Sequence, residues 1–254
     1  MSRSESRRLT FWIAVYCLAF TVVLCALYFL FVAVTAPWAT HTGWLQTAYT
    51  ASPVQVIVDA GHGGRDGGAT GVTGLVEKNL NLEIATLLHD MLCAAGTKTC
   101  MTRTVDSLVC DESDPALRGK LKQTDLKNRA ALAEANPGAL FVSIHMNNFP
   151  VEKYSGLQVY YSPHAEESRV LAASIQANTA ALLQPGNTRG IKAAGSNIYL
   201  LNRIRTAAVL VECGFLSNAE EALRLRQADY QMTLAVTIAL VLTASVLQNL
   251  REPS

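Results

Sequence analysis

Between Arg8 and Asp59 the chain carries no Asp, Glu, Lys or Arg. Within that gap, residues 9–36 read LTFWIAVYCLAFTVVLCALYFLFVAVTA and present no polar face. About 20 apolar residues are enough to cross a bilayer as a helix, and a core helix of a water-soluble domain normally keeps a polar stripe. The pattern therefore predicts one transmembrane helix over 9–36, ended by Pro37. From residue 53 the pattern changes to short apolar runs alternating with longer segments of helical period. Residues 54–58 (VQVIV), 97–103 (TKTCMTR), 139–144 (ALFVSI), 156–161 (GLQVYY) and 205–211 (RTAAVLV) read as strands. Residues 78–94 place Leu80, Leu82, Ile84, Leu87, Leu88 and Met91 at mostly helical spacing before Ala95-Gly96. Residues 121–136 and 166–183 read as further helices, and a last helix begins near Ala219 or Asp229 and runs to about Leu250. Residues 105–120, polar and holding Pro115 and Gly119, read as a surface excursion. This alternation predicts a single α/β domain over 53–250, with a central, mostly parallel sheet flanked by helices. The charge-free stretch 230–250 is also long enough for a second span, but its Gln, Thr, Ser and Asn residues favour a helix packed on the sheet.

Charge sharpens this organisation. The first eight residues hold three Arg and one Glu, and a positive flank keeps an amino terminus inside, which places the following domain outside the cytoplasm. The expected layout is a basic tail over 1–8, a signal-anchor over 9–36, a linker over 37–52, a catalytic domain over 53–250 and a short tail over 251–254. Secretion after signal cleavage is the alternative, given the small residues Val34-Thr35-Ala36. Against it, Pro37 would follow the cut, and the apolar run exceeds the usual 7–15 residues of a signal peptide. With 21 Lys and Arg against 20 Asp and Glu, the chain lacks the basic excess of a nucleic-acid binder. A hydrophobic share of 50% excludes a disordered chain. Removing the +2 of the first eight residues from the total of +1 leaves −1, so an outer domain must hold any polymeric substrate by a specific groove rather than by bulk charge. Cys93, Cys100 and Cys110 are permitted one disulfide by compartment but lack the spacing of a zinc knuckle, and Cys213 in an apolar run reads as packing.

Candidate chemistry gathers where predicted strands end. Residues 59–68 (DAGHGGRDGG) contain five glycines, too many for a helix or strand interior, and form a loop at the carboxyl end of a strand. That loop carries His62. His145 and Glu212 follow two other predicted strands, and Glu77 opens the first long helix. Two imidazoles and a carboxylate are a frequent ligand set for catalytic zinc, and a further carboxylate can carry a proton for water. Each residue also has a plainer reading: a loop histidine, or a glutamate placed to suit a helix dipole. Glu212 is harder to read plainly, because a carboxylate ending an apolar strand needs a partner. The pattern alone leaves open which glutamate binds metal. No P-loop, GxGxxG, GxSxG or HExxH motif is present.

Five segments, VIVDAGHGGRDGGATG (56–71), GLVEKNLNLEIA (74–85), MTRT (101–104), FVSIHMNN (141–148) and VLVECGFLSNAEE (209–221), resemble in order those of the zinc-dependent N-acetylmuramoyl-L-alanine amidases of the family-3 type. The text SGLQVYYSP, NIYLL and DYQ is similar to the sporulation and germination branch of that family. The resemblance covers 54–250. It implies one Zn2+ held by His62, Glu77 and His145, with Glu212 as the catalytic carboxylate. Arg65, Asp66 and Asn147 become candidates for holding the loop or the substrate, and Arg129 for pointing into the groove or merely facing solvent. The implied reaction is hydrolysis of the amide between muramic acid and L-Ala in peptidoglycan, with a role in spore cortex maturation through muramic-δ-lactam formation and in germination. The implied partners are a glycan strand with its stem peptide, the membrane through 9–36, and an accessory activator protein. An inactive peptidoglycan-binding module and a zinc peptidase cutting within the stem are the competing readings. The sequence leaves the oligomeric state open.

Overall fold

The computed structural model describes residues 53–251. The anchor expected over 9–36, the linker over 37–52 and the tail past Arg251 lie outside the described residues. In chain order the elements are β1 (Val56–Ala60), α1 (Glu77–Ala94), β2 (Thr99–Met101), α2 (Leu121–Glu134), β3 (Leu140–Asn147), β4 (Gln158–Tyr161), α3 (Glu166–Leu182), β5 (Lys192–Ala193), α4 (Tyr199–Arg203), β6 (Ala208–Phe215), α5 (Ala219–Leu225) and α6 (Ala228–Arg251). They build a sheet of order β2-β1-β3-β6-β4-β5 with helices on both faces. β2, β1, β3 and β6 are parallel, as the alternation of strands and helices predicts. β4 runs antiparallel to β6, and β5 follows β4 in parallel. Residues 148–157 between β3 and β4 hold no helix, and a parallel return needs a crossover of about a dozen residues or more. The chain therefore comes back in the opposite direction.

Side chains alternate between the two faces of each strand. One set, including Val56, Val58, Leu140, Val142, Ile144, Val209 and Val211, enters a large core with Leu80, Ile84 and Leu88 of α1, Leu171 and Ile175 of α3, and Leu234, Ile238 and Leu242 of α6. The other set starts apolar, with Ile57, Phe141, Ala208 and Leu210 beneath Ala130 and Ala133 of α2 and Leu200 and Leu201 of α4. It then turns polar along each strand, at Asp59, Ser143, His145 and Glu212. Among the described residues α6 has the length and apolar composition to cross a membrane. Its buried side chains nevertheless belong to the core against α1 and α3, which is the packing the sequence favoured.

Two sequence expectations need correction. β3 and β6 do not stop before His145 and Glu212 but run to Asn147 and Phe215. Backbone pairing is indifferent to a polar side chain on the open face, so the register Ile144↔Val211 continues to His145↔Glu212. The strand expected over 97–103 keeps only Thr99–Met101, paired along β1. Cys93, Cys100, Cys110 and Cys213 are free thiols, so the disulfide that the compartment permits is not formed among them.

Candidate active site

The carboxyl ends of β1, β3 and β6 meet the amino end of α1 at a cluster of His62, Glu77 and His145. β1 delivers the glycine loop, and Gly61 N donates to Ile144 O, extending the β1–β3 ladder one step before the chain turns away. His62 then takes φ +61, in the left-handed region where a non-glycine residue is strained. α1 comes from the opposite face of the sheet, and its first residue, Glu77, reaches over the strand ends. Glu77 Oε1 lies 3.0 Å from His145 Nδ1 and 3.3 Å from His62 Nε2, and it accepts from Met146 N at 3.1 Å. Its other oxygen accepts from Ala69 N at 2.8 Å. The imidazoles cross edge to face with centroids 4.9 Å apart.

One ligand atom from each of the three residues lies within 4.8 Å of the others. Two imidazole nitrogens and a carboxylate oxygen converging in this way suit a divalent cation of borderline softness. The electrostatics agree. Burial opposes charge on both Glu77 and His62, but their mutual contacts, with His145 beside Glu77 and Asp66 beside His62, outweigh it. Glu77 is held well below the usual carboxylate range and His62 is lifted to about 9. The pocket favours positive charge at its centre, which a metal ion would supply with neutral imidazoles. His62 Nδ1 is 3.0 Å from Asp66 Oδ2, close enough for an ion pair but out of line for a hydrogen bond.

Glu212 stands directly across from His145, in register on the neighbouring strand. Its Oε2 is enclosed and has no hydrogen-bond partner. Burial raises its carboxyl to about 7; Glu77 adds to the rise, and the two imidazoles oppose it. An enclosed carboxyl whose ionisation burial disfavours, beside a cluster able to hold a cation, is equipped to accept and return a proton.

Residues 56–244 match the family described as N-acetylmuramoyl-L-alanine amidase. The chain belongs to that family. The germination-specific N-acetylmuramoyl-L-alanine amidase of Bacillus subtilis is 34% identical to this enzyme over 202 residues, covering 79% of this chain and 83% of that protein. The CwlD amidase of Clostridioides difficile, solved in complex with the GerS lipoprotein, superposes with a TM-score of 0.71 at 33% identity, covering 76% of this chain and 98% of that one. A second amidase, from Clostridium difficile 630, gives 0.66 at 28% identity, over 80% of this chain and 100% of that one.

The amidase draws the other sequence candidates to different places. Asp66 sits beside His62 and also meets Lys122 Nζ at 3.2 Å. Asn147 ends β3 and lines a cavity next to Glu212's strand. Arg65 is not brought to the cluster: its side chain is 74% exposed and pairs with Glu112. Arg129 neither points into the groove nor faces solvent. It is buried under the site, where its guanidinium meets Asp59 at 2.6 Å and Asp125 at 2.9 Å and donates to the carbonyls of Ala60 and His62.

That buried ground was not recognised in the sequence. Asp59 also accepts from Thr102 and Ser143. Arg103 donates to the carbonyls of Ala60, Gly61 and Lys78, tying the glycine loop to the start of α1. Asn81 Nδ2 donates to Gly61 O, one helical turn beyond Glu77. The loop glycines answer to space. A Cβ on Gly61 would fall 2.2 Å from His145 Nε2, and one on Gly68, at φ +68, would fall 2.5 Å from Glu77 Oε2. The signal for this group was the buried Asp at the end of β1 and the Arg of MTRT, both of which needed partners.

Proposed function

We propose that this amidase hydrolyses the amide between the lactyl group of N-acetylmuramic acid and the L-Ala of the peptidoglycan stem, with one zinc ion held by His62, Glu77 and His145 and with Glu212 as the proton carrier. The observation that carries this reading is the pairing of Glu212 with His145 across β3 and β6, which puts an enclosed carboxylate oxygen without a hydrogen-bond partner beside the three converging ligand atoms. Zinc in this site supplies Lewis acidity toward the amide carbonyl and toward water. Glu212 accepts a proton from the attacking water as the C–O bond forms, then donates it to the departing L-Ala nitrogen as the C–N bond breaks. The products are the lactyl carboxylate and a stem peptide with a free amino end. Asp66 steadies His62, and Arg103, Arg129 and Asn81 hold the loop and helix that aim the ligands.

The likeness to a germination-specific relative supports spore cortex as the peptidoglycan acted upon, with muramic-δ-lactam formation as the outcome. Its likeness to an amidase solved with a lipoprotein supports an accessory protein partner on the same side of the membrane. Residues 9–36 would anchor the domain there, outside the cytoplasm.

The test is digestion of purified peptidoglycan by the purified, zinc-supplied chain, followed by end-group analysis. New L-Ala amino ends without new D-amino ends are expected. New D-amino ends would show a peptidase cutting within the stem, and no new ends at all would overturn the reading in favour of a binding module.

A further inference from the structure

The cavity beside the strand that carries Glu212, lined in part by Asn147, has a volume of about 330 Å³. Its lining includes Asn147, Tyr154, Gln158, Arg189, Lys192 and Phe215, and it contains no Asp or Glu. Two register pairs join it to the cluster. Gln158 on β4 stands opposite Glu212 on β6, and Asn147, two residues past His145 on β3, stands opposite Phe215. The guanidinium of Arg189 lies 4.6 Å from the centre of the Phe215 ring and 5.9 Å from that of Tyr154. Its Nη2 donates to the neutral amide oxygen Gln158 Oε1 at 3.2 Å, and its Nε is enclosed with no hydrogen-bond partner. A carboxylate shares the neighbouring wall with Arg189: Glu221 accepts from Gly156 N at 2.8 Å and Phe215 N at 2.7 Å and feels the Arg189 charge from there. Lys192 on β5 adds a second, exposed cation to the same cavity. In a chain whose remainder after the basic tail is almost neutral, Arg189 and Lys192 make this a local site of positive charge.

We infer that Arg189, assisted by Lys192, reads a free carboxylate on the second residue of the stem peptide and so sets which peptidoglycan the enzyme cleaves. The inference rests on the substrate proposed above. Neighbouring strands lie about 4.8 Å apart, so Gln158 is one such step from Glu212. The Gln158 side chain in turn meets Arg189. An extended peptide covers about 3.5 Å per residue, so when the L-Ala amide sits at Glu212 the second residue lies over the neighbouring strand that carries Gln158. The planar, permanently charged guanidinium, fixed against an aromatic ring, matches a carboxylate better than a neutral amide, which carries no charge and presents its own N–H groups.

The experiment compares two muramoyl peptides that differ only at the second residue, D-glutamate with a free α-carboxylate against D-isoglutamine. The full chain loaded with zinc is used, and kcat/KM is measured for each. The acid form is expected to be cleaved at least about tenfold more efficiently. That ratio should collapse toward one in Arg189→Gln, survive in part in Arg189→Lys, and fall by a smaller factor in Lys192→Gln, whose exposed side chain carries little folding risk. A ratio kept at the wild-type value in Arg189→Gln and Lys192→Gln would overturn the inference. So would equal cleavage of both peptides by the wild type, which would leave the proposed reaction standing. Cleavage of neither peptide would instead overturn the proposed substrate, and this inference with it.

Discussion

The two faces of the central sheet are built from the same strands and differ at every second residue. On one face Val58, Val142, Ile144 and Val211 pack against α1, α3 and α6, and the strands themselves contribute only apolar side chains there. On the other, Ile57, Phe141 and Leu210 give way to Asp59, Ser143, His145 and Glu212 as the strands approach their carboxyl ends. Helices α2 and α4 cover the apolar beginning of that face, Arg129 of α2 also closes over Asp59, and only the end with His145 and Glu212 stays partly open. Stability and chemistry are thus interleaved residue by residue, and substitutions at adjacent positions should report on different properties.

The largest contrast should come from Glu212. Glu212→Gln removes the proton carrier without touching the apolar face, so turnover should fall by about 10²- to 10⁴-fold, while metal analysis shows zinc still bound. Undiminished turnover would strip Glu212 of its role. Beneath the same face, Arg129→Met leaves Asp59 and Asp125 buried without their cation, and should cost about 3–5 kcal/mol in urea unfolding. Here the open face would govern stability as well, and a cost below about 1 kcal/mol would show that its polar network does not.

The pH dependence follows from the same network. Burial opposes ionisation of Asp59, but Arg129, Ser143 and Thr102 outweigh it and hold the carboxyl below its ordinary value. A carboxyl lowered on folding adds stability above its unfolded value of about 3.9, and that contribution is lost as the pH falls toward the folded value. The urea midpoint should therefore drop in acid below about pH 4. In Arg129→Met the drop should begin at higher pH.

Gly61→Ala is a smaller and more local change. Its Cβ would displace the His145 ring rather than backbone, so activity should fall about 100-fold with little change in the unfolding midpoint. Equal activity would show that the ligand geometry tolerates the shift. Smallest of all, Ile144→Val trims the apolar face next to His145 and should cost about 0.5–1.5 kcal/mol with kcat/KM unchanged. If kcat/KM fell in proportion, the two faces would not be separable.

Much of this was legible in the chain. The order of strands and helices could be read from periodicity, and His62, Glu77, His145 and Glu212 stood out as ionisable residues beside apolar runs. The support beneath them was not legible. Arg129 on its helix reads as a cation for the groove or for solvent, and only the packing of α2 shows that it is buried against Asp59. Arg103 and Asn81 bind carbonyl oxygens of a distant loop, and a carbonyl acceptor leaves no trace in the identity of its residue. Arg189 was likewise passed over, because its partners on β4 and β6 come from separate parts of the chain.

The sequence by itself determined the apolar gap between Arg8 and Asp59, the α/β alternation after it, and the residue types able to hold a metal and move a proton. These are local properties, carried by hydrophobic period and side-chain chemistry. Tertiary structure decided that β3 and β6 run side by side so that His145 faces Glu212, and that α1 crosses to bring Glu77 between two histidines. It also decided that the strands continue through their polar residues. Those outcomes depend on strand order and register, which are fixed by how whole faces bury against helices rather than by any single segment.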